Sequence, residues 1–175
     1  MRVDAPVLVR EATRDDAVAI GEIHAQAWHL AYRDLFESRW LVRFVEKRRT
    51  MWTQVIANPE FADDTLLVAQ RGTQIVAFAC FGRHRDNRSD GELFAVYSHP
   101  RVWGTGAASA LMDGVWDATS HYRRLRCWTL AGASRARRFY ESVGFTETGL
   151  IREHDYGDGR PVIKVEYAKV VGVHG

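Results

Sequence analysis

The sequence is poor in cysteine, with two among 175 residues, far too few for the disulfide framework that staples small secreted domains. Cys80 and Cys127 both fall within apolar strand patterns and read as reduced, inert core residues. Neither sign of charge dominates either. The 24 Lys and Arg stand against 22 Asp and Glu, which argues against the basic field of a nucleic-acid-binding chain. No uncharged apolar run approaches the roughly 18 residues of a membrane span. Met1 to Pro6 lacks the apolar core of a signal peptide, so no membrane partner and a cytoplasmic location are expected. Repeats, low-complexity tracts and linkers are missing, so one domain over residues 1–175 is expected. His84, His99, His121, His154 and His174 show no ligand spacing, and no metal is expected.

What is present is an ordinary globular composition, 46% hydrophobic and 26% charged, with eight Phe, six Trp and six Tyr for one core. Val7 to Arg10 reads as a first strand. Thr13-Arg14-Asp15-Asp16 resembles a capping box and opens a helix with apolar residues from Ala17 to Ala31. Leu41, Phe44, Val45, Trp52, Val55 and Ile56 form a second helical stripe, ending before Asn58-Pro59. Thr65–Gln70 and Ile75–Phe81 read as strands of a hairpin joined by Arg71-Gly72-Thr73-Gln74. Glu92–Ser98 is a further strand, followed by a glycine turn and a helix bearing Leu111, Met112, Val115 and Trp116. A strand at Leu125–Leu130, a helix with Ala136, Phe139, Tyr140 and Val143, and strands at Thr146–His154 and Val162–Val171 complete the order. Gly144 fits the left-handed residue after a helix end. The fold class is α/β (α+β). A mixed, mostly antiparallel sheet of about seven strands with about four helices is expected, partly parallel in its second half.

The turn Trp103-Gly104-Thr105-Gly106-Ala107-Ala108 sits between a strand and a helix. Glycine lets the backbone approach a ligand, while the first helical N–H groups and the helix dipole face negative charge. The turn lacks the Lys-Ser/Thr pair of a nucleotide P-loop, and it lacks the third glycine and ribose acid of a dinucleotide fold. On its own this spacing is equally that of a tight strand–helix connection.

Its neighbours add to it. Leu93 to Pro100 and then Trp103 to Ala108 resemble the acetyl-CoA motif of the GNAT superfamily, Gln/Arg-x-x-Gly-x-Gly/Ala, with Trp103 at the Gln/Arg position. Ala133-Ser134-Arg135-Ala136-Arg137-Arg138-Phe139-Tyr140-Glu141-Ser142-Val143-Gly144-Phe145 is similar to the family's Asn-x-x-Ala-x-x-Phe-Tyr-x-x-x-Gly-Phe, departing only at Ala133. The likeness extends from about Val7 to Val170.

The resemblance implies acetyl-CoA as co-substrate, no metal, and direct attack of a primary amine on the thioester. A lysine-like amine has a pKa near 10.4, so only about one molecule in a thousand is free base at neutral pH. The site must therefore accept a proton, stabilise an oxyanion and protonate a thiolate. By the resemblance, Tyr140 is the general acid, although a packed aromatic beside Phe139 would look the same. Glu92 is the base or water-holder, or else a solvated acid at a strand end. Val96, Tyr97 and Ser98 offer main-chain groups to pantetheine and the thioester carbonyl. Trp103, Gly104, Thr105, Gly106, Ala107, Ala108 and Ser109 form the pyrophosphate turn, which must rely on backbone N–H groups because Trp103 brings only an indole N–H. Ala133 lacks the usual side-chain amide, a loss of about 1 kcal/mol.

His24, Trp28, His29 and Tyr32 lie on the helix that lines the family's acceptor side, with Trp28 and Tyr32 the candidate substrate contacts. Ordinary core aromatics give the same pattern. Arg135, Arg137 and Arg138 are candidates for the CoA 3′-phosphate or belong to a solvated helix face. The implied acceptor is a small-molecule or peptide amine, and family members often pair as homodimers. A polyamine or aminoglycoside would demand a strongly acidic pocket. The alternative in a different class is a non-catalytic acyl-CoA-binding or sensing domain; Tyr140 and Glu92 favour catalysis, while Trp103 and Ala133 lean the other way.

Overall fold

The structure, a computed structural model, describes residues 5–172. Strands β1 (Val7–Glu11), β2 (Thr65–Arg71), β3 (Gln74–Arg83), β4 (Gly91–Ser98), β5 (Arg124–Leu130), β6 (Thr146–His154) and β7 (Val162–Val170) join in one sheet. Its order is β1-β2-β3-β4-β5-β7-β6. Every neighbouring pair is antiparallel except β4 and β5, which a helical crossover joins, as a parallel pair requires. The helices are α1 (Ala17–Tyr32), α2 (Ser38–Thr50), α3 (Trp52–Ala57), α4 (Ala107–Thr119) and α5 (Ser134–Ser142). The mixed seven-stranded sheet is the expected one. Its hairpin between β2 and β3 is tighter than the four-residue reading, since Arg71 pairs with Gln74 and leaves only Gly72 and Thr73 in the turn.

The single helical stripe read over Leu41–Ile56 is two helices in succession, meeting at Met51. Just past that junction Trp52 is buried and donates its indole N–H to His24 Nδ1 at 3.0 Å. α2 packs closely on α1 because position 21 is glycine; a Cβ there would stand 2.1 Å from the Arg49 carbonyl oxygen. The start of α1 is held by Asp16, which accepts from the Thr13 N–H at 2.8 Å and pairs with Arg10 at 2.8 Å. The Arg10 guanidinium holds the Asp16 carboxyl down to about 2.

Side chains on the two faces of the sheet enter different cores. Ala77, Ala79 and Phe81 join Leu111, Met112 and Val115 of α4 and Tyr140 of α5. Phe78 and Val68 join Ile20 and Ile23 of α1 and Trp52 of α3 on the opposite face. A third cluster gathers Trp28, Tyr32, Phe36, Phe44 and Leu130. Cys127 is buried, Cys80 is half-buried, and both are free thiols; burial raises the Cys80 thiol to about 12.

Two irregularities prepare the site. β4 and β5 pair only through Gly91–Leu93 and Leu125–Cys127, although β4 runs on to Ser98 and β5 to Leu130. On the other side of β4, Cys80 pairs with Ala95 and Phe81 with Leu93, so Phe94 is a bulge without a partner on β3. Past this point β4 and β5 no longer form a ladder. Among the described residues no helix is long and apolar enough to cross a membrane. No cluster of three or more metal-binding side chains occurs there either; His174 lies outside the described residues.

Candidate active site

Where the β4–β5 ladder stops, two clefts open side by side and share part of their lining. The first, of about 430 Å³, lies between the second half of β4, the glycine turn, the start of α4 and the length of α5. The second, of about 380 Å³, lies beneath α1, α2 and α3. Tyr32, Phe94, Ala95, Tyr97, Trp128 and Thr129 line both.

The glycine turn follows from its sequence. Gly104 and Gly106 have φ of 74° and 81°, a region that costs an L-residue roughly 1–2 kcal/mol. Gly106 is the residue before the first turn of α4, and the first intrahelical bond runs from Ala110 N–H to the Gly106 carbonyl. The N–H groups of Ala107, Ala108 and Ser109 therefore have no carbonyl partner in the helix. They form a cradle for an anion at the positive end of the α4 dipole.

A buried cation stands behind this turn. Arg71, only 4% exposed, donates to the Thr105 hydroxyl at 3.2 Å and the Thr105 carbonyl at 3.4 Å. It has no carboxylate partner among the described residues, and its Nε is unsatisfied. The Thr105 hydroxyl in turn donates to the Val102 carbonyl at 2.7 Å. Trp103 spends its indole N–H on the Ser98 carbonyl at 3.0 Å, tying the turn to the end of β4. Its ring face carries the Arg135 guanidinium at 3.8 Å. A positive group thus reaches the cleft from α5, although residue 103 itself brings none.

The sequence-selected residues divide as follows. Val96, Tyr97, Ser98, Trp103, Gly104, Gly106, Ala108, Ser109 and Tyr140 line the first cleft, as do Arg135 and Arg138. Thr105 is turned to Arg71 and Val102. Ala107 is fully buried, so its side chain serves the core. Ala133 lies 5% exposed in the core just before α5 and lines neither cleft. Arg137 is committed elsewhere, to the Tyr167 hydroxyl, the Ala131 carbonyl and Glu147.

Tyr140 is 8% exposed, packed 5.5 Å from Phe145 and 5.9 Å from Tyr167 between ring centroids. Burial raises its phenol well above the ordinary value, with Cys127 and Tyr97 adding to the effect. The end of α5 is closed by Gly144 at φ 93°, with Phe145 N–H bonded to the Tyr140 carbonyl at 3.0 Å. That closure fixes the helical turn carrying Tyr140.

Glu92 is half-buried and lines neither cleft. Burial raises its carboxyl above the usual range, while His84, Arg152 and Arg85 pull it back and Glu166 adds to the rise. Among the described residues Asp64 is the one carboxylate lining the second cleft, also raised by burial against the pull of Arg85.

Trp28 lines the second cleft and Tyr32 both, whereas His29 is exposed on the outer face of α1. His24 also lines the second cleft. Its ring lies 4.5 Å from that of Tyr97, and burial, with Arg48 adding to it, lowers its pKa to about 3. It is therefore a neutral hydrogen-bond acceptor for Trp52. Arg48, Tyr156 and Lys164 complete the wall. No motif marks these three, because they come from α2, the β6–β7 connection and β7, far apart in the chain.

Comparison with known proteins agrees with this geometry. Residues 62–147 match the sequence model of the acetyltransferase (GNAT) domain. An uncharacterized N-acetyltransferase of Mycobacterium tuberculosis is 30% identical over 152 residues, covering 81% of this chain and 94% of that one. The PaiA N-acetyltransferase of Thermoplasma acidophilum, solved in complex with coenzyme A, superposes with a TM-score of 0.73 at 16% identity, over 94% of this chain and 99% of that one. The ribosomal-protein-S18-alanine N-acetyltransferase of Escherichia coli superposes with a TM-score of 0.67 at 19% identity, over 97% of both. By the match of its sequence and the architecture around the β4–β5 opening, this chain belongs to the GNAT acetyltransferase family.

Proposed function

We propose that the protein transfers an acetyl group from acetyl-CoA to a primary amine, with the two clefts holding the two substrates. The carrying observation is the shared wall: Tyr140 and the anion cradle of α4 open on one cleft, which shares Tyr97 and Trp128 with a second cleft. The cradle suits a pyrophosphate, since three free N–H groups, a helix dipole and Arg135 face one anion. The β4 backbone at Val96–Ser98, unpaired toward β5, offers hydrogen bonds to an amide-bearing arm and a donor for a developing oxyanion. The relative solved with coenzyme A supports the same cofactor here.

Acetyl-CoA supplies an activated acyl carbon: a C–N bond forms to the amine as the C–S bond breaks. The chain's own groups handle protons. Glu92 accepts one through water, since it lines neither cleft, and its raised pKa suits it to that work. Tyr140 remains protonated at neutral pH. A buried phenol is a weaker acid than a thiol, whose pKa is about 8.5. It therefore acts as general acid chiefly by hydrogen bonding to sulfur as charge develops, and the amine's own second proton restores the balance.

The test is thiol release with an amine panel. Tyr140→Phe is expected to lower turnover at least tenfold while leaving acetyl-CoA affinity nearly intact, and a wild-type rate would remove the general-acid role. Glu92→Gln in the same assay is expected to flatten the acid limb of the pH profile. If Asp64→Asn does so instead, the proton acceptor is the carboxylate lining the acceptor cleft. Tight acetyl-CoA binding with no turnover on any amine would favour a sensing domain.

A further inference from the structure

We propose that the acceptor is a primary amine that also bears a carboxylate, an α-amino acid or close analogue with an apolar or aromatic side chain, held by Arg48 and Lys164. This inference rests on the transferase reading above and names the substrate class of its second cleft.

Arg48 and Lys164 are the half-buried cations of the second cleft's wall, and neither has a carboxylate partner among the described residues. Arg10, Arg49, Arg123, Arg124, Arg126 and Arg137 each pair with a carboxylate. Arg48, half-buried on α2, has no ion-pair partner among the described residues; it lies 3.9 Å over the Trp28 ring and 5.5 Å from that of Tyr156. Of its five N–H donors, one is given to the Phe44 carbonyl at 3.0 Å. Lys164, half-buried on β7, sits 5.0 Å over the other partner ring, Tyr156, with no hydrogen bond or ion pair among the described residues. The two cations come from distant parts of the chain and converge on one aromatic ring. Burial lowers both, Lys164 to about 8 with Arg152 and Arg48 contributing. Two cations so placed are costly unless an anion joins them.

Position gives the anion its chemistry. Neither Arg48 nor Lys164 lines the acetyl-CoA cleft, while Tyr97 and Trp128 line both. The Arg48 guanidinium interacts with Tyr97 and Tyr32, which line both clefts, so an α-amino acid whose carboxylate meets these cations carries its nitrogen, one carbon away, beside the wall that the two clefts share. The aromatic walls between, with His24 neutral, suit an apolar side chain. The lining carries three cations, Arg48, Arg85 and Lys164, against the single carboxylate of Asp64. This balance disfavours polyamines and aminoglycosides, which are polycations. It also disfavours a peptide N-terminus, whose first residue has no free α-carboxylate. The molecule already shows the same device once, since Arg71 lies buried and unpaired behind the anion cradle of α4.

The experiment compares L-phenylalanine and L-leucine with their carboxamides, with phenethylamine, with a short peptide and with spermidine. Turnover is read by thiol release, and binding to the CoA-saturated protein is read by calorimetry. The free amino acids are expected to be preferred over carboxamides by about a hundredfold. Lys164→Met and Arg48→Met are each expected to raise KM for the amino acid and collapse that preference toward unity. Lys47→Met, which removes an exposed charge from the same helix, should leave the preference intact. Thermal melting and CoA affinity establish that the variants are folded. Equal use of acid and carboxamide, or preference for the peptide or spermidine, would overturn the carboxylate assignment and leave the transferase reading standing. If no amine turns over, the transferase reading falls, and calorimetry still decides the carboxylate: selective binding of the free acid upholds the assignment, and indifference overturns it.

Discussion

The two clefts share a wall at one opening in the sheet but are built by opposite means. The side proposed for the cofactor is mostly backbone: two glycines at positive φ, the first N–H groups of α4, and the unpaired edge of β4. Its residues are neighbours in the chain because a turn and a helix start are local structures. The side proposed for the acceptor is made of side chains drawn from α1, α2, α3, β3, β4, β5 and β7 and from the connections between them. A site built of backbone asks for conformation at the turn, more than for Gln or Arg at position 103. A side-chain-built site changes its ligand with each substitution.

That contrast can be broken most sharply at Gly106. Gly106→Val forces a β-branched residue into φ 81° and is expected to weaken CoA binding about a hundredfold, equivalent to two charge-assisted hydrogen bonds of roughly 1.5 kcal/mol each. Calorimetric titration with CoA checks it. An effect below threefold would mean that side chains, not the turn, carry the cofactor.

Arg135→Met tests the cation stacked on Trp103 in the backbone-built cleft, which Arg138 also lines. It should raise the CoA dissociation constant about tenfold, in line with one charge-assisted contact. The same titration at raised salt should narrow the gap between variant and wild type.

The smallest effect concerns pH on the acceptor side. Lys164 is faced by Arg48 from α2, Arg152 from β6, Glu92 from β4 and Tyr156. Its pKa of about 8 lies below the ordinary lysine value, so raising the pH through 8 discharges it and should raise KM for an amino-acid acceptor severalfold. Lys164→Met should lack this alkaline limb, even as kcat continues to rise with the free-base fraction of the amine. The lowered pKa also has a stability consequence. Between 8 and the unfolded value the unfolded chain binds more protons, so this residue's burial penalty eases as pH rises.

The same local-versus-distant divide governs what was legible in the sequence. The succession of strands and helices along the chain, the mixed sheet, the glycine turn and the helix carrying Tyr140 were legible because each rests on short spacing, whereas the place of β7 between β5 and β6 was not. The break at Met51 was not, since the apolar stripe runs through both helices and only the placement of Trp52 against His24 reveals it. Glu92 is read correctly onto β4, yet sequence alone does not tell that it lines neither cleft. Arg48, Arg71 and Lys164 are ordinary charges in a sequence. They acquire meaning from missing partners, which only three dimensions disclose.

Phe94, the unpaired residue of β4, has one more consequence. Residues two apart on a strand share a face, yet Leu93 belongs to the core under α4, whereas Ala95 and Tyr97 pack with α1 and α3 on the opposite face. The extra residue inverts the strand's parity halfway along its length. Without it Tyr97 would point into the α4 core, and the wall shared by the two clefts would lose the ring that faces His24. A single inserted position thus turns the aromatic lining toward the second cleft, and the length of β4, more than its composition, sets which face each of its side chains meets.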